Sequence, residues 1–224
     1  MRSWTWPHYY ICRTLAYCIF RLAGGYEVRG KENVPEGGAL LAANHISYAD
    51  PPAVGTAFRQ RCYYFAKRQL FEIPLFGPFI RSLYAFPVNR EGVDRKAIRN
   101  AAQLLKTGEK VIIFPEGGRS PDGTLQEGTE GAAFIAKLAD APIVPTALAG
   151  TDEVLPRGSI FLHRGKTTVS FGEPVYVTDY RDEEGDIDLR AATDEVMKRI
   201  SRMIDEIRAE RQARKTNKKT AVSS

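Results

Sequence analysis

Cysteine and histidine are scarce in this 224-residue chain, with three of each. Cys12, Cys18 and Cys62 are odd in number, lack metal-type spacing and sit near no histidine-rich cluster, which excludes a disulfide scaffold or a zinc site and points to a reducing compartment. Long apolar runs are missing as well. Between Pro7 and the helix stopper Gly24-Gly25 there is room for about 16 helical residues, short of the roughly 20 that a spanning helix needs, and Arg13 and Arg21 interrupt them. Those arginines, with no small-residue cleavage site after them, also argue against a signal peptide. Excess charge is confined to one end. The formal charge of +5 is accounted for by Arg211, Arg214, Lys215, Lys218 and Lys219 in an acid-free tail, so residues 1–210 are formally neutral. Nucleic-acid binding, which a pI near 9.1 alone would suggest, is therefore not expected.

What is present is layered. Residues 1–25 are aromatic-rich and read as one helix. Arg13, Tyr17 and Arg21 recur as a polar stripe, and Trp6, Tyr10, Ile11, Leu15, Ile19 and Leu22 cover much of the rest, a pattern suited to a bilayer interface or to packing on the chain's own domain. Residues 26–210 read as a single domain of about the usual size. Strand-like runs occur at 38–43, 62–66, 84–88, 110–114, 141–149 and 167–171. They alternate with helical stretches at 94–108 and 128–139 and an amphipathic helix carrying Leu189, Val196, Ile200, Ile204 and Ile207. This alternation predicts an α/β fold, a layered, mostly parallel sheet flanked by helices. Residues 211–224 lack apolar periodicity and are expected to be a basic disordered tail.

Three stretches carry chemistry. In "NHISYAD" (44–50) an apolar strand runs into His45, and Asp50-Pro51-Pro52 opens a helix. Asp50 suits a helix N-cap followed by proline. It equally suits a carboxylate that accepts a hydrogen bond from His45 across a short loop, fixing the imidazole tautomer for proton abstraction. The second stretch, "VIIFPEGGRSPDG" (111–123), ends a buried-type strand in an acid, two glycines and an arginine, a loop suited to an anion through backbone amides and the Arg119 fork. The third, "FPVNREG" (86–92), sets Arg90 directly after a strand, where it can converge on the same ligand.

In this order the blocks "HISYAD", "FPVNR", "FPEGGRS" and "IVPTA" resemble those of the phosphate acyltransferase family of glycerolipid synthesis, in particular bacterial 1-acylglycerol-3-phosphate acyltransferases, over roughly residues 26–175. The resemblance implies transfer of a fatty acyl group from acyl-CoA or acyl carrier protein to a lysophospholipid hydroxyl, with no cofactor and no metal. It implies His45 and Asp50 as the catalytic pair, and Arg90, Glu116, Gly117 and Arg119 as head-group ligands. It also implies a peripheral or monotopic position on the cytoplasmic face of a membrane. Four positions depart from the family pattern. Gly118 stands for a usual threonine, Tyr84 and Asn89 for a common glycine and aspartate, and Gln126 for a common lysine. Gln126 leaves room for an acceptor without a terminal phosphate, and a non-catalytic lipid-binding module is the alternative of a different class.

Overall fold

The computed structural model describes residues 7–89 and 92–222. In chain order the elements are α1 (Pro7–Ala23), β1 (Tyr26–Arg29), β2 (Ala39–Ala43), α2 (Asp50–Thr56), β3 (Cys62–Lys67), α3 (Phe76–Ser82), β4 (Ala85–Val88), α4 (Arg95–Lys106), β5 (Lys110–Ile113), α5 (Gly131–Ala139), β6 (Ile143–Ala149), α6 (Thr151–Val154), β7 (Thr167–Phe171) and α7 (Leu189–Val222). The strands form one seven-stranded sheet in the order β1-β7-β6-β2-β5-β3-β4. Every pairing is parallel except β6 with β7.

Helices cover both faces, and this explains the unbroken apolar runs of the central strands. In β2, Leu40 and Ala42 pack toward α4, α5 and α7, while Ala39, Leu41 and Ala43 pack toward α1 and α2. Because β2, β5, β3, β4 and β6 run parallel, their C-terminal ends open on one edge of the sheet, where such folds place their sites.

The first helix differs from its expected orientation. Arg13 turns inward: its Nε donates to Phe58 O and its Nη2 donates to Thr56 O at 3.2 Å, satisfying carbonyls at the C-terminal end of α2. Tyr9 and Phe20 are buried with it, and the Tyr17 ring meets the edge of Tyr26. The exposed side instead carries Ile11, Leu15 and Leu22, so the helix packs on its own domain and still presents an apolar stripe outward. Trp6 lies outside the described residues. Among the described residues no helix is long and apolar enough to cross a membrane.

The C-terminal end also departs from expectation. Helix α7 continues through Val222, where a disordered tail was expected from residue 211. Its sequence holds no glycine or proline to stop it, and Arg211 fastens it to the sheet by donating to Ala149 O at 3.0 Å, Thr168 Oγ1 at 3.2 Å and Lys166 O.

Candidate active site

Strand β2 delivers the chain into a tight loop, Asn44 to Ala49, before α2 begins. The Asn44 side chain extends the ladder beyond the strand: its Nδ2 donates to Leu148 O at 3.0 Å and its Oδ1 accepts Leu148 N–H at 2.7 Å, pinning the loop to β6. His45 follows on this fixed point. Asp50, fully buried, folds back beneath it, and its Oδ2 accepts from His45 Nδ1 at 2.7 Å, Ile46 N–H at 2.7 Å and Ser47 N–H at 2.8 Å.

Those three bonds separate the two roles open to Asp50. The N-cap of α2 is Ala49, and no side-chain cap bond is made there. The carboxylate points upstream into the loop. An oxygen that already accepts two backbone N–H groups can meet Nδ1 only as an acceptor, so Nδ1 carries the proton, and it is Nε2 that holds the lone pair in the neutral tautomer. The imidazole also stacks on Phe114, with centroids 4.0 Å apart and planes 18° apart, which fixes its plane. The second carboxylate oxygen, Oδ1, is buried without a partner among the described residues.

The loop after β5 lies directly beside this one, since Ala42 and Ile113 are in register. Glu116 joins the two loops: its Oε1 accepts His45 N–H at 2.6 Å and its Oε2 accepts Gln126 N–H at 2.9 Å. Ser120 N–H returns a bond to His45 O at 2.7 Å. Burial pushes the Glu116 carboxyl above its ordinary range, and the two N–H donors partly offset this. Each Glu116 oxygen accepts one protein N–H, and the Gly117 N–H is turned onto Phe114 O at 3.0 Å, with Gly117 at a positive φ of 70°. These two residues shape the loop. Arg119, the other head-group candidate on this loop, is half-buried, its guanidinium 3.5 Å from the Tyr48 ring centroid. Stacking on Tyr48 covers one face and leaves the N–H edge for oxygen ligands. Arg90 lies outside the described residues.

Three contributors had no sequence signal beyond their neighbourhood. Tyr48 supports Arg119 from within the His45–Asp50 loop. Ser47 donates its hydroxyl to Leu155 O at 2.7 Å, and Arg157 donates to Ser120 O at 3.1 Å, bringing the segment after α6 to the same site. Gln126 folds onto its own loop by donating to Thr124 O at 3.0 Å and Thr124 Oγ1 at 2.9 Å. His163 lies exposed near Ser159, away from the dyad.

The site thus sets a histidine held by a buried carboxylate beside a stacked arginine. A family model described as Acyltransferase matches residues 25–149. A 1-acyl-sn-glycerol-3-phosphate acyltransferase of Bacillus subtilis is 33% identical over 198 residues, covering 87% of this chain and 96% of that protein. A chloroplastic protein of the same description from Brassica napus is 30% identical over 155 residues, and the match spans 67% of this chain but 45% of that longer protein. The crystal structure of the 1-acyl-sn-glycerophosphate acyltransferase PlsC from Thermotoga maritima superposes with a TM-score of 0.68 at 29% identity, covering 93% of this chain and 84% of that one. With the family model spanning more than half its length and the Bacillus relative aligned nearly end to end, the chain belongs to the acyltransferase family.

Proposed function

We propose that the chain transfers a fatty acyl group from an acyl thioester, acyl-CoA or acyl carrier protein, to the sn-2 hydroxyl of 1-acylglycerol-3-phosphate, giving phosphatidic acid. The reaction would take place on the cytoplasmic face of a membrane to which the enzyme attaches peripherally. The observation that carries this reading is the buried His45–Asp50 pair beside an Arg119 stacked on Tyr48. His45 Nε2 takes the proton of the acceptor hydroxyl, and the oxygen attacks the thioester carbonyl carbon. Collapse of the tetrahedral species breaks the carbon–sulfur bond, and the imidazolium returns its proton to the departing thiolate. Asp50 balances the imidazolium charge across the Nδ1 bond. No covalent enzyme intermediate, metal or cofactor is required, because a thiolate leaves readily.

The names of the relatives support a phosphate-bearing acceptor, and Arg119 supplies the group that would hold it. Gln126 favours a second reading, the same chemistry on a lysophospholipid without a terminal phosphate, because its amide is engaged within its own loop and adds no positive charge. Thiol release by the purified protein, with acyl-CoA and acyl carrier protein donors across lysophosphatidate, lysophosphatidylglycerol and glycerol-3-phosphate, decides between them. Lysophosphatidate should be the fastest acceptor. Arg119→Ala should raise its KM by roughly tenfold or more, consistent with loss of a charge-assisted contact, and leave an uncharged lysolipid nearly unaffected. No thiol release with any pair would leave a lipid-binding module.

A further inference from the structure

Ile160, Phe161 and Leu162 are three consecutive large apolar residues, 86%, 72% and 54% exposed, on the loop that follows α6. The loop is ordered by its own bonds. Ser159 Oγ donates to Phe161 O at 3.0 Å and accepts Phe161 N–H at 3.0 Å, and His163 N–H bonds Val154 O at 2.9 Å. An apolar tip held in water this way is unfavourable unless something covers it.

Three observations identify what covers it. First, the loop lies beside the end of α1: Gly165 N–H bonds Ala23 O at 2.9 Å, next to Leu22, which is 84% exposed at the end of the outward apolar stripe. Second, its base is basic. From Leu155 to Phe171 the chain carries Arg157, His163, Arg164 and Lys166 and no acid, with Arg157 and Arg164 exposed. Third, α7 runs alongside β6 and passes Ala149 at Arg211, so the segment bearing Arg214, Lys215, Lys218 and Lys219 leaves on this same edge of the sheet. Apolar side chains at the apex with basic residues at the base match the layering of an anionic bilayer, acyl chains beneath negative headgroups.

We infer that the Ile160–Leu162 loop is a membrane-inserting element, seated with the end of α1 in the interface of an anionic bilayer. The root of the loop is bonded to Ser47 and Ser120, so its insertion sets the His45 site at the lipid surface. This deepens the reading of the chain as an acyltransferase of lysophospholipids and rests on it for the site's purpose.

The test replaces Ile160→Ser, Phe161→Ser and Leu162→Ser together and measures co-sedimentation with phosphatidylglycerol-containing vesicles, beside thiol release on short-chain substrates kept monomeric. Vesicle affinity should fall roughly 10- to 100-fold, with thiol release on monomeric substrates unchanged. Unchanged vesicle binding overturns the inference. So does unchanged vesicle binding with a weakened response to acyl carrier protein, which would make the loop a protein-docking surface. Should the triple variant fail to fold, Phe161→Trp in a Trp4→Phe, Trp6→Phe background reports the same point. Its emission should shift to the blue and be quenched by phosphatidylglycerol brominated in the acyl chain, and unquenched emission at the aqueous wavelength overturns the inference. Loop-dependent vesicle binding by a protein that releases no thiol would remove the acyltransferase reading and leave the loop's role standing.

Discussion

At Asp50, whether the carboxylate starts a helix or supports a base comes down to which N–H groups it accepts. It accepts those of Ile46 and Ser47, upstream of α2, together with His45 Nδ1. Asparagine keeps one oxygen for the two backbone donors, so Asp50→Asn should fold with a stability change within about 1 kcal/mol, whereas Asp50→Ala leaves those donors unpaired and costs roughly 2 to 4 kcal/mol. Turnover in the Asn variant should nonetheless drop by roughly two to four orders of magnitude, because the imidazolium loses its counter-charge. His45→Ala should be at least as inactive, and the double variant hardly worse than either single. A fully active Asp50→Asn enzyme would leave His45 acting without the pair. The spacing of His45 and Asp50 offered this contact in the sequence as one of two readings, and the bond at Nδ1 selects it. The task of Glu116 was not legible, since a bond from a carboxylate to a backbone N–H leaves no pattern in side-chain identities. Its titration gives a second prediction. Burial raises the Glu116 pKa, so the folded state binds the proton more readily than the unfolded chain, and the ionised carboxylate costs stability above the raised value. Relative to Glu116→Gln, the wild-type protein should lose stability as pH rises from about 4 through the raised value, and level off beyond it. Urea denaturation of both proteins across that range measures the difference. A slope of the opposite sign would mean that the two N–H donors outweigh burial.

Among the elements, those with long apolar stretches were readable and those built from few residues were not. Strands β2, β5 and β6 announce themselves because both their faces are covered, and α4 does so through its apolar spacing; in the structure the Asp94 side chain caps it by accepting Ala97 N–H at 3.0 Å. Strand β1 is four residues long, too short for its alternation of Tyr26 and Val28 with Glu27 and Arg29 to stand out, and α3 contains Gly77 and Pro78, so neither gave a clear signal. Tyr84 sits at a positive φ of 70°, and its ring packs edge-on at 5.2 Å from Tyr9 and at 5.2 Å from Tyr63. Strained backbone there is offset by contacts that help dock α1. The orientation of α1 escaped a wheel projection because both its sides are largely apolar and the arginine expected to face water caps a neighbouring helix. Arg13→Met keeps the aliphatic stem and removes the donors to Thr56 and Phe58, so it should lower stability by roughly 1 to 3 kcal/mol, read as a fall in Tm. Arg21→Met, at an exposed position on the same helix, should change Tm little. Equal effects would place the polar stripe in solvent after all.

Across the whole molecule, the parallel strands gather the ends of β2, β5 and β6 on one edge of the sheet, and α1 and α7 both reach that edge at their C-terminal ends. Charge follows the same polarity, because the net +5 of the chain is carried by residues 211–219 while the rest is formally neutral. The five tail charges have different work. Arg211 is structural, bonded to Ala149, Lys166 and Thr168, and Arg211→Ala should destabilise the fold by roughly 1.5 to 3 kcal/mol. The four that follow lie on the part of α7 that continues past Arg211. Ending the chain after Gln212 should therefore leave Tm and thiol release on monomeric substrates unchanged. Binding to phosphatidylglycerol vesicles at low salt should weaken about tenfold or more, at up to about 1 kcal/mol for each basic residue near the surface. The gap between truncated and full-length protein should close as salt is raised, since screening removes the contribution of exposed charges first, while the apolar contribution of the loop and α1 persists. A gap that survives high salt would show that the tail contributes apolar contact or fold stability instead of charge. Equal binding at low salt would place the tail away from the membrane and leave docking to the apolar elements alone.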